Sequence, residues 1–258
     1  MRPVLVGLAL MASVSLAGAA ETLESVSPRD GVSQRFLLLK PEGPPLASLI
    51  LFSGGDGNLK LSDDGRLGAG AGNFLVRTRA RWVAQGFTVA VVDAPSDHAA
   101  EGLVGDFRGT PEHARDMVAV IDFLRRQADV PVWLVGTSRG TTSAASVAIK
   151  QGERVDGLVL TSSIDHGRGN LADFNLQRLT QPVLLVQHQR DECKESRLDN
   201  LQPVLDKLTA TQAKELIVID GGSNRGDPCQ PWAWHGYNGI EDQVVSRASA
   251  WIKGHLAR

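Results

Sequence analysis

Short, almost uninterrupted apolar runs recur along this chain at 34–39, 47–52, 88–92, 130–135, 157–160, 182–186 and 216–219. A strand with one wet face alternates apolar and polar residues, and these runs do not, so they read as parallel strands covered on both faces. The segments between them carry helical signals. Residues 73–85 lead to Gly86, a helix-terminating glycine. Thr110-Pro111 combines an N-cap hydroxyl with proline at the first helical position. Met117, Val120, Ile121 and Leu124 then form one apolar stripe at i, i+3, i+4, i+7. Small residues Ala144, Ala145 and Ala148 let a further helix lie close to the strands until Gly152, and a last helix is expected over 241–255. The alternation predicts an α/β fold, a mostly parallel central sheet flanked by helices on both faces, with functional groups at the carboxyl ends of the strands. The 258-residue length fits a signal segment followed by one domain over 21–258. A net charge of −2 gives no reason to expect nucleic acid or an anionic membrane surface as partner.

Directly after the run at 130–135 stands Gly136-Thr137-Ser138-Arg139-Gly140. The G-x-S-x-G pentapeptide is a weak signal alone and an informative one between a strand and a helix, where it forms a nucleophile elbow. The turn is so sharp that glycine is required two residues either side of the serine. It raises the Ser138 hydroxyl above the sheet and aims the first helical N–H groups at whatever that hydroxyl attacks. A serine nucleophile needs a base, and the base needs an orienting carboxylate. Asp191 follows the run at 182–186, within Gln187-His188-Gln189-Arg190-Asp191. His235 lies in Pro231-Trp232-Ala233-Trp234-His235-Gly236-Tyr237, after the last apolar run and before the last helix.

The order Ser138, Asp191, His235 resembles that of the α/β-hydrolase superfamily. The resemblance covers nearly the whole chain beyond its N-terminus, and implies an elbow after the fifth strand, an acid after the seventh and a histidine after the eighth. Asp165, after the preceding strand, and Glu192 are rivals to Asp191 as the acid. An oxyanion hole is expected from the Arg139 N–H and from Gly55 or Asp56 in Ser53-Gly54-Gly55-Asp56-Gly57, where the sequence departs from the superfamily's usual His-Gly. The resemblance implies a serine hydrolase that cleaves a carboxylic ester through an acyl-enzyme, without cofactor or metal. A peptidase or amidase, and a catalytically silent binding module on the same fold, are the alternatives.

The N-terminus has the layout of a secretory signal peptide over 1–20: Arg2, an apolar stretch from Val4 to Ala17, then Gly18-Ala19-Ala20. The stretch is shorter than the ~20 apolar residues a membrane span needs. Export to the periplasm or the medium follows, with no stable membrane anchor. In an oxidising compartment Cys193 and Cys229, the chain's two cysteines, are expected to bridge and to tie the Asp191 loop to the His235 loop. Asp56, Asn58, Asp63 and Asp64 fail the calcium-loop spacing. His188 with Asp191, or Asp165 with His166, lack the wider cluster that a metal requires. The stretch 164–181 is too short for a helical cap, and the glycine-rich connection 56–72 reads as mobile. An open site of this kind suits a small or exposed ester, with Trp232 and Trp234 as candidate walls and Arg139 and Arg190 as candidate contacts for an acidic substrate. Oligomeric state has no signal in the sequence.

Overall fold

A computed structural model describes residues 20–256. The proposed signal segment therefore lies outside the described residues but for Ala20. Among the described residues, eight strands form one sheet: β1 (Glu21–Arg29), β2 (Val32–Leu39), β3 (Ala47–Phe52), β4 (Phe87–Val92), β5 (Val132–Thr137), β6 (Gly157–Thr161), β7 (Val183–His188) and β8 (Lys214–Ile219). Their spatial order is β1-β2-β4-β3-β5-β6-β7-β8. β3 through β8 are mutually parallel, as the uninterrupted apolar runs predict.

Two readings are corrected at the sheet edges. The run at 34–39 belongs to a strand antiparallel to both of its neighbours. Its partner β1 has no counterpart among the predicted strands, because Glu-Thr-Leu-Glu-Ser-Val-Ser-Pro-Arg is a polar, partly exposed edge sequence. Pro28 is tolerated there, where the register shifts between Val26 and Arg29. Asp30-Gly31, with Gly31 at φ +67°, makes the two-residue hairpin turn. β8 is the opposite edge, and its exposed and buried residues alternate rather than being covered on both sides.

Helices α1 (Phe74–Ala84) and α5 (Glu241–Gly254) cover one face; α2 (Pro111–Gln127), α3 (Gly140–Gln151) and the short α4 (Gln202–Lys207) cover the other. α4 was not anticipated. β5 shows how one strand serves both layers: Trp133 and Val135 pack with α1 and α5, Val132 and Leu134 with α2 and α3. The α2 stripe Met117, Val120, Ile121 and Leu124 is wholly buried, and the Thr110 hydroxyl caps the helix by accepting from the His113 N–H at 3.2 Å. Between β6 and β7 the chain makes two 3-10 turns, Leu171–Asp173 and Leu176–Arg178, and no large cap. The connection 56–72 is pinned rather than loose over its first part. The Asp93 carboxylate at the end of β4 accepts from the N–H groups of Leu59 and Leu61 at 2.6 and 2.9 Å, and both leucines are buried.

Candidate functional site

The carboxyl ends of β3, β5, β7 and β8 bring the singled-out residues together. β5 runs straight into Ser138, which takes φ +52°, a left-handed conformation that non-glycine residues rarely adopt. The flanking glycines are required by packing. A Cβ on Gly136 would lie 2.5 Å from the Gly140 carbonyl oxygen, and one on Gly140 would lie 2.0 Å from that of Phe52. Gly54 abuts the elbow, where a Cβ would stand 2.9 Å from the Ser138 Cβ. The turn is held by hydrogen bonds at both ends of Ser138. Its N–H donates to the Thr161 carbonyl at 3.0 Å, and its carbonyl accepts from the Thr141 N–H and hydroxyl at 2.9 and 2.6 Å.

Asp191, three residues past β7, is buried and accepts from four donors. His235 Nδ1 lies 2.9 Å from its Oδ2, which also accepts from Gln187 Nε2 at 3.0 Å and the Ser196 hydroxyl at 3.1 Å. Oδ1 accepts from the Cys193 N–H at 3.0 Å. A carboxylate only accepts, so the bonded Nδ1 carries a proton, and Nε2 is the ring nitrogen left to exchange one. That Nε2 is buried and has no hydrogen-bond partner among the described residues.

His235 sits in the 3-10 turn Trp234–Gly236. Gly236 is required because a Cβ would fall 1.9 Å from the Pro231 carbonyl oxygen. Tyr237, the chain's only tyrosine, adopts φ +58° and is fully buried. Its hydroxyl donates to the Val186 carbonyl of β7 at 2.7 Å and accepts from the Ser162 N–H at 2.9 Å. The Ser162 hydroxyl in turn donates to the His235 carbonyl at 2.7 Å. Burial raises the phenol's pKa, which keeps it protonated as this donor. From the outer side Arg77 donates to the carbonyls of Gly72 and Gly236 and to Glu241. Its guanidinium lies 5.0 Å from the Trp232 ring centroid. The Cys193–Cys229 disulfide is present and joins the Asp191 loop to the His235 loop.

Ser138 and His235 line one cavity of about 420 Å3, together with Gly54, Gly55, Asp56, Phe74, Cys229 and Trp232. The N–H groups of Gly54, Gly55, Asp56 and Arg139 donate to no backbone or side-chain acceptor among the described residues. Arg139 lines a neighbouring cavity of about 250 Å3, and its guanidinium lies 3.5 Å from Glu195.

The rival acids stand elsewhere. Asp165 accepts from the Arg197 N–H and from Asn200, without contact to His235, and burial raises its pKa. Glu192 is exposed and takes a hydrogen bond from Asn224. Arg190 pairs with Asp220 and lies over the Trp234 ring at 4.4 Å, while Trp234 stacks on His188, so neither residue lines the cavity. Gln187, Ser196, Ser162, Thr141 and Tyr237 were not singled out from sequence. A glutamine ending an otherwise apolar strand, and a lone tyrosine beside His-Gly, were the available signals. Among the described residues no group of three or more His, Cys, Asp or Glu could hold a metal ion, and no helix is long and apolar enough to cross a membrane.

Comparison with known proteins adds to this geometry. The family model described as "Serine aminopeptidase, S33" matches residues 71–181, a segment that contains Ser138 but neither Asp191 nor His235. No curated protein matches the chain by sequence. Among solved structures, a cold-adapted esterase from an Arctic intertidal metagenomic library superposes with TM-score 0.67 at 18% identity, covering 93% of this chain and 96% of that one. A dienelactone hydrolase from Anabaena variabilis gives 0.63 at 21% identity over 93% of this chain and all of that one (100%). An esterase from Pyrococcus furiosus gives 0.69 at 13% identity, over 99% of this chain and 97% of that one. At these identities the similarity is one of fold, and it extends over whole chains. The strand order, the sharp turn at Ser138 and these superpositions give this chain the fold of an α/β hydrolase.

Proposed function

We propose that the protein is an exported serine hydrolase that cleaves a carboxylic ester through an acyl-enzyme on Ser138. The observation that carries the reading is the buried His235–Asp191 pair at 2.9 Å, whose unpartnered Nε2 shares a cavity with Ser138. In this mechanism Nε2 takes the Ser138 proton as the hydroxyl oxygen attacks the ester carbonyl, and Asp191 stabilises the imidazolium that forms. Free N–H groups of the 54–56 loop and of Arg139 receive the charge that develops on the carbonyl oxygen. Protonated His235 then gives its proton to the departing alcohol. Water attacks the acyl-enzyme by the same route, releasing the acid and regenerating Ser138. A cavity of about 420 Å3 with no large cap, walled by Phe74 and Trp232, suits a small or exposed acyl group. Export is inferred from the N-terminal sequence and agrees with the disulfide.

The test is hydrolysis of p-nitrophenyl acetate by the protein and by Ser138→Ala. Loss of the nucleophile should lower kcat on the order of 10⁶-fold. Equal rates in both proteins would refute the Ser138 mechanism. The aminopeptidase description of the family model favours amide cleavage as a second reading. Turnover of aminoacyl p-nitroanilides faster than of esters would select it. Absence of Ser138 labelling by a fluorophosphonate would instead indicate a silent binding module.

A further inference from the structure

Arg108 lies in the 3-10 turn Phe107–Gly109 just before α2, and its side chain is buried, at 4% exposure. A buried charge is normally paired with an opposite one. The ion pairs formed by arginines among the described residues, such as those of Arg77, Arg139 and Arg168, do not include Arg108. Burial, reinforced by the nearby charge of Arg139, pushes its pKa down to about 9 against the weaker opposing pull of Asp56.

What the guanidinium touches is the loop after β3. Nη2 donates to the carbonyls of Ser53 at 3.3 Å and Gly55 at 3.1 Å, while Nη1 donates to the Ser143 hydroxyl of α3 at 2.8 Å. A trans peptide sends its C=O and the following N–H to opposite sides. Drawing the Ser53 and Gly55 carbonyls onto Arg108 therefore turns the N–H groups of Gly54 and Asp56 away from it. Gly54, Gly55 and Asp56 line the Ser138 cavity, and Arg108 does not. Gly57, at φ +69°, makes room for the clamp, since a Cβ there would lie 2.6 Å from Nη2.

We propose that Arg108 is a positioning residue for the oxyanion site, holding the 53–57 loop so that the Gly54 and Asp56 amides face Ser138. Its unpaired charge adds positive potential on the side of the loop opposite the developing oxyanion. The inference rests on Ser138 being the nucleophile.

The test measures kcat and KM for p-nitrophenyl acetate, and the rate of Ser138 phosphonylation, in Arg108→Met and Arg108→Lys. Losing one oxyanion donor typically lowers kcat about 10²–10³-fold, so Arg108→Met should lose about 10²-fold in kcat with KM within about threefold. Phosphonylation should slow in parallel, because the probe passes through the same oxyanion site. Arg108→Lys, keeping a cation that reaches one carbonyl at a time, should recover part of the loss. Unchanged kcat in Arg108→Met, a loss confined to KM, or no rescue by lysine overturns the proposal. Should both variants fail to fold, Ser143→Ala releases the guanidinium from α3 alone. A several-fold lower kcat at unchanged KM and Tm then supports the clamp, and an unaltered kcat overturns it. An active wild-type protein silenced by Ser138→Ala but not by Arg108→Met would sink this inference alone. Wild-type activity that survives Ser138→Ala would remove the mechanism on which it rests.

Discussion

Replacing Asp191 by asparagine tests the acid assignment, and the hydrogen-bond inventory sets the size of the effect. Oδ2 accepts from His235 Nδ1, Gln187 Nε2 and the Ser196 hydroxyl, while Oδ1 accepts from the Cys193 N–H. An asparagine has one accepting oxygen and one donating NH2, so every orientation sets donor against donor. With its oxygen toward His235, the NH2 opposes the Cys193 N–H, a backbone group that cannot reorient. With its NH2 toward His235, the serine can rotate and the imidazole can move its proton to Nε2, while the Gln187 amide, held by the Ser163 N–H and the Ser196 carbonyl, stays a donor facing it. The second orientation relaxes more easily, and it leaves the face that must accept the Ser138 proton already protonated. A triad locked in that tautomer loses about 10⁴ in kcat, or ~5.5 kcal/mol of barrier at 1.36 kcal/mol per decade. The residual unsatisfied donors should lower stability by roughly 1–3 kcal/mol. Steady-state p-nitrophenyl acetate hydrolysis and thermal unfolding of Asp191→Asn measure the two effects separately. Asp165→Asn is the control, because that carboxylate makes no contact with His235. A kcat of Asp191→Asn within tenfold of wild type, or an equal loss in Asp165→Asn, would refute the reasoning.

Two further outcomes are expected. Cys193→Ser combined with Cys229→Ser opens a loop of 36 residues, which in the chain-entropy model lowers stability by about 4 kcal/mol. That should lower Tm by roughly 10 °C, and kcat should fall with it because the bridge ties together the loops of Asp191 and His235; an unchanged Tm in differential scanning calorimetry contradicts this. His113 is fully buried between Phe52 and Phe107, and neither ring nitrogen has a hydrogen-bond partner among the described residues. Burial, with the nearby charges of Arg108 and Lys150, pushes its pKa down to about 3. The unfolded chain, titrating near ~6.5, binds the extra proton first, so stability is full above that pH and declines as pH falls toward the folded value. The loss reaches roughly 2–3 kcal/mol at pH ~4.5. Urea midpoints of His113→Leu should therefore fall less between pH ~8 and pH ~4.5 than those of the wild-type protein, and parallel pH curves would count against this account.

The parallel strands, the two helix layers and the elbow were legible in the sequence because each is written in local chemistry. Uninterrupted apolar runs need cover on both faces, a proline after a threonine opens a helix, and Gly136 and Gly140 bracket a turn that no larger residue could make. β1 was not legible, since a polar edge strand exists only through its pairing with β2. The site divides along the same line. Ser138, Asp191 and His235 could be singled out by chain order, and Asp191 could not be separated from Asp165 without a distance. The hydrogen bonds from Gln187 and Ser196 to Asp191 span 4 and 5 positions, whereas the Arg108 clamp and the Tyr237–Ser162 tie join residues 53 and 75 positions apart. The partners of the last two become neighbours only when the strands of the sheet lie side by side. Local sequence determines which residues can turn sharply or ionise. Only the folded sheet decides which of them are buried within hydrogen-bond reach of one another, because that depends on strand order and on the removal of water.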